Sequence, residues 1–77
     1  MPKFYFHIRM REGFDPDYDG VEIRSGDGVA EAVTIARRMV SELVANEEPI
    51  DGLIFEITDG TGTLVAELPF HMCVSLQ

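Results

Sequence analysis

The sequence has no tryptophan, one lysine (Lys3), one cysteine (Cys73), and no lysine or arginine after Arg38. Each absence removes a class of explanation. A single cysteine cannot form an internal disulfide, so a reducing cytosolic setting is the simple expectation. No apolar run approaches the roughly 20 residues that span a bilayer. His7, Arg9 and Arg11 interrupt the N-terminal stretch where a signal-peptide core would lie, so neither export nor membrane insertion is expected. No glycine-rich loop joins a strand to a helix with a following lysine, so no nucleotide motif is present and no cofactor is expected.

The shortage of bases is lopsided. From Met39 onward stand Glu42, Glu47, Glu48, Asp51, Glu56, Asp59 and Glu67 with no base, which places −7 of the formal −8 in that half. Nucleic acids and anionic lipids call for a basic face. A protein partner with a basic surface fits better. Phe4-Tyr5-Phe6 suggests base stacking, but alternation leaves only Tyr5 available and the net charge opposes the contact.

What remains is a 77-residue chain, 45% apolar, which is enough for one folded domain over residues 1–77. A domain of this size buries only about 60% of its unfolded surface, so self-association, most simply as a homodimer, is expected.

Lys3 to Arg11 alternates: Phe4, Phe6, Ile8 and Met10 share one face, and Tyr5, His7 and Arg9 the other. This predicts a strand whose apolar face forms the core. Glu12 to Gly20, rich in Gly, Pro and Asp, reads as a loop. Val21 to Arg24 reads as a second strand.

A helix is expected from Gly28 to about Asn46, capped by Asp27 or Ser25. Val29, Ala32, Val33, Ala36, Val40, Leu43 and Val44 form its apolar face. Ile35 and Met39 widen that stripe, toward a sheet edge or a second subunit. Glu47-Glu48-Pro49 ends the helix, and two acids opposing its dipole predict a frayed terminus. Strands follow over Leu53–Thr58 and Thr63–Phe70, joined by Asp59-Gly60-Thr61-Gly62. Pro69 points to an edge strand. Residues 71–77 form a tail that extends the strand, docks on a partner or frays.

The fold class is therefore α+β: a ββαββ chain with a four-stranded antiparallel sheet, order 2-1-3-4, and one helix on one face. The other face mixes the acids Glu56 and Glu67 with the contact residues Tyr5, His7, Arg9, Ile54 and Val65. These contact residues, with Ile35 and Met39 on the helix flank, are the expected interface.

Several residues carry possible chemistry. Asp15-x-Asp17-x-Asp19-Gly20 opens like a calcium loop, but its twelfth position is Gly26 and a strand precedes it. His71-x-Cys73 offers two metal ligands where zinc needs three or four. Met1-Pro2 before a strand resembles the tautomerase superfamily, whose members use a freed proline amine as general base. The intervening loop and second strand depart from that pattern. His7, between Tyr5 and Arg9, is placed for proton transfer or anion binding, or for packing at an interface.

The chain also resembles a family of short bacterial proteins of unknown function. The shared features are Met1-Pro2, the aromatic strand Phe4 to Arg9 with its His and Arg, Gly20-Val21-Glu22-Ile23, Glu31-Ala32 in the helix, and Pro69-Phe70. The likeness spans nearly the whole chain up to Phe70 and implies a fold without a reaction. A looser likeness to HicB-type antitoxin domains, with the loop Phe14 to Tyr18 leading toward an Ala-rich helix, implies binding to a basic protein. The expected function is a non-enzymatic, self-associating protein-interaction module. The alternatives are an antitoxin-like regulator or a small enzyme using Pro2 or His7.

Overall fold

The computed structural model describes residues 2–24 and 26–74. Ser25 as alternative cap, the tail beyond Val74 and the state of Met1 lie outside them. The elements are β1 (Lys3–Met10), β2 (Gly13–Asp15), β3 (Val21–Glu22), α1 (Gly28–Ala45), β4 (Ile54–Thr58), β5 (Leu64–Pro69) and a 3-10 turn, Phe70–Cys73. The α+β class, the single helix and the antiparallel sheet are as expected. The sheet runs β2-β1-β4-β5, and β3 pairs with the start of β1, giving five strands instead of four.

The extra strand has a local cause. The chain turns tightly after Met10 and returns at once, so Gly13 pairs with Met10, Phe14 with Arg9 and Asp15 with Ile8. Pro16 then has no N–H to continue the ladder. The chain leaves the sheet and rejoins it at Val21, opposite Phe4. What read as one loop and one strand is a single returning segment broken at a proline. Arg24 falls outside the strand, although the Ile23 N–H still donates to the Pro2 carbonyl at 3.0 Å.

The core is a match of sizes. Ala32, Ala36 and Val40, one stripe of α1, are fully buried. Their small side chains let the helix settle on the large ones of the sheet, Phe4, Phe6, Phe55 and Ile57. Gly28 belongs to the same fit, since a Cβ there would come within 2.9 Å of the Phe4 ring. The stripe centres nearer Ile35 and Met39 than expected. Both pack against the core, while Val29 and Val44 stay exposed. Met10 is also exposed, while Ile8 is half-buried and packs against the core, so the core reaches Ile8 but not the end of β1.

Asp27 caps the helix, accepting the Ala30 N–H. The other end is tied off. The N–H groups of Asn46, Glu47 and Glu48 return to carbonyls of Glu42, Val44 and Leu43, with Glu47 at φ 59°. After β5, Phe70 and Cys73 fold under the helix and are buried, and Val74 packs against the core, while His71 and Met72 stay exposed.

Candidate functional site

The sheet face away from α1 gathers the polar alternates of β1. Cross-strand pairing sets Tyr5 beside Thr58, His7 beside Glu56, and Arg9 between Phe14 and Ile54. Tyr5 stacks on His7 with ring centroids 6.3 Å apart, and His7 on Phe14 at 5.6 Å, making a short aromatic row. Phe14 is half exposed at its outer end.

Glu56 and Glu67 face each other directly across β4 and β5, a pairing that repels. Arg9 resolves it, reaching Glu56 at 2.9 Å and Glu67 at 3.2 Å. Tyr5, His7, Arg9 and Ile54 therefore share this face as expected. A bulge near Thr58 interrupts the alternation of β5, and Val65 packs against the core cluster.

His7 is committed at both nitrogens. Its Nδ1 accepts the Asp17 backbone N–H at 3.0 Å, which requires that nitrogen to be unprotonated. The ring proton of neutral His7 is then on Nε2, 3.1 Å from the Thr58 hydroxyl, to which it donates. A proton-shuttle role would require breaking one of these bonds. His7 is a clasp between the returning loop and β4.

Asp17 completes the clasp. One carboxylate oxygen accepts the Phe6 N–H at 3.0 Å, standing in for the ladder partner lost at Pro16. The other accepts the N–H groups of Asp19 and Gly20, each at 3.1 Å. Partial burial pushes this carboxyl up. The N–H donors of Phe6, Gly20 and Asp19 outweigh burial and hold it below the ordinary carboxylate value. Gly20, at φ +73°, lies so close to Tyr5 that a Cβ would fall 2.8 Å from its ring.

Asp17 spends both oxygens on backbone donors. Among the described residues no three His, Cys, Asp or Glu side chains are grouped to hold a metal. His71 and Cys73 do not converge either: His71 is exposed, while Cys73 is buried with its thiol donating to the Pro69 carbonyl. Burial pushes that thiol up, with Arg37 partly opposing the shift.

Phe14 and the Asp17–His7 clasp were not singled out from the sequence as site features. Asp17-x-x-Gly20 does carry the signature of an Asp-led turn. Nothing in the sequence signals its reach back to Phe6 and His7. No described helix is long and apolar enough to cross a membrane. No curated protein and no solved structure matches the chain. The model of DUF6894, a domain of unknown function, matches residues 3–71, and the chain belongs to that family.

Proposed function

We propose that the protein is a non-enzymatic interaction module that associates with a second copy of itself through the open face of its sheet. The observation carrying this reading is the aromatic row Tyr5–His7–Phe14 beside Ile54, on a sheet that α1 covers from one side only. A two-layer slab measuring 34 × 30 × 17 Å has a broad face large enough for the roughly 800 Å² per partner of a stable dimer. The face mixes apolar anchors with the Arg9–Glu56–Glu67 charges, the composition of an association surface that also meets water. Ile35 and Met39, half-buried against their own core, have less to offer a second copy. The one described thiol is buried and suits a reducing compartment such as the cytosol.

Sedimentation equilibrium from about 1 to 100 µM tests the reading. The wild type should shift toward a dimer within that range, and Phe14→Asp should remain monomeric with an unchanged circular dichroism spectrum. A wild type that stays monomeric throughout overturns it.

A further inference from the structure

A second surface lies on the helix side of the sheet, across the loop from Asp15 to Val21 from the aromatic row. Between the C-terminal half of α1 and the loop from Asp15 to Val21 is a groove of about 580 Å³. This falls within the roughly 300–1,000 Å³ of ligand-binding clefts. The groove exists because the chain leaves the sheet at Pro16, so β1 has no continuous neighbour there. Its apolar lining includes Phe6, Ile8, Met39 and Leu43.

All the charged residues lining it are acids: Asp15 and Asp17 from the loop and Glu42 from the helix. Asp15 and Glu42 are exposed, and among the described residues neither has an ion-pair partner. The negative end of the α1 dipole adds to the same field, with no base in the last turn to offset it.

We infer that this groove docks a basic peptide segment of a partner protein. An apolar side chain of the segment sits on Phe6, Ile8, Met39 and Leu43, and a lysine or arginine beside it faces Asp15 and Glu42. Charge complementarity selects the partner: an acidic segment is repelled, and a neutral one leaves the exposed carboxylates without a counter-charge. A peptide suits the place because the carboxylates come from two different elements, loop and helix. A chain that places basic and apolar side chains at intervals meets both. The inference does not depend on self-association, since Phe6 and Ile8 point away from Tyr5, His7 and Arg9.

Fluorescence anisotropy with a labelled peptide of alternating leucine and lysine tests it on the full chain. Binding should be measurable below about 100 µM and weaken as salt rises. The double variant Asp15→Lys, Glu42→Lys should bind about tenfold more weakly, since both exposed charges change from attraction to repulsion. Phe14→Asp, on the opposite face, should bind as the wild type does. A peptide with every leucine changed to serine should bind much more weakly. Equal binding of the serine peptide would reduce the effect to general attraction and overturn the groove. So would binding unchanged by the double reversal, no binding by the wild type, or loss of binding in Phe14→Asp.

Discussion

The two faces of the sheet are held in different ways. On the covered face Phe4, Phe6, Phe55 and Ile57 meet Ala32, Ala36 and Val40, and all are buried; no buried polar side chain lies among the described residues. On the open face Tyr5, His7, Arg9, Phe14, Glu56 and Thr58 are joined by pairwise links: two stacks, one clasp and one bridging arginine. The covered face is a cooperative packing unit, in which each side chain touches several others. The open face is a set of local bonds on a surface that has no layer above it. Stability should therefore follow the first face, and association the second.

The largest effect should come from Phe55→Ala. It removes a ring that packs on both Phe6 and Phe70, and truncation of such a buried aromatic costs about 3–5 kcal/mol. For a domain this small that approaches the whole margin of stability. Thermal or urea unfolding measures it. A loss as small as that of an open-face substitution would break the comparison.

Asp17→Ala should come next. It leaves the Phe6 N–H without its acceptor, at a cost of about 1–3 kcal/mol. Because the Asp17 carboxyl sits lower in the fold than its ordinary 3.8, its stabilising contribution is complete above that value. The contribution is lost as pH falls through the lower folded value. Unfolding midpoints from pH 5 down to pH 2 should therefore fall less steeply for Asp17→Asn than for the wild type. Parallel curves would contradict the clasp.

Much of the covered face was legible in the sequence. The alternation of Phe4 and Phe6 and the helical spacing of Ala32, Ala36 and Val40 report one-sided burial directly, because period and face are the same fact. The antiparallel sheet under one helix was legible too, although the strand order differs by the pairing of both β2 and β3 with β1. The likeness to short proteins of unknown function agrees with the family membership. The likeness to HicB-type domains gains no relative among curated proteins or solved structures.

The open face was legible only in part. Tyr5, His7, Arg9 and Ile54 came from alternation. Phe14 did not, because its strand is three residues long inside a Gly- and Asp-rich stretch. The clasp joins Asp17 to residues ten and eleven positions earlier, and no local pattern encodes that distance. The register shift at Val65 in β5 leaves no mark in the residue types. Met10 alternates as well as Phe4 does, yet it lies beyond the core. Alternation specifies a face and says nothing of how far the opposing layer extends.

Arg9→Ala should have the smallest effect on stability, about 0–1 kcal/mol, because its bridge to Glu56 and Glu67 is solvated. Raising salt should mimic it in the wild type and change the variant little. A larger loss in unfolding assays would place the open face in the same cooperative unit as the core.

The most direct measurement is a dilution series followed by amide NMR, from about 1 mM to 20 µM. The account predicts concentration-dependent shifts confined to Tyr5, His7, Arg9, Phe14, Ile54 and their neighbours on the open face, with α1 unaffected. Shifts confined to α1, or spectra that do not change with concentration, would contradict it.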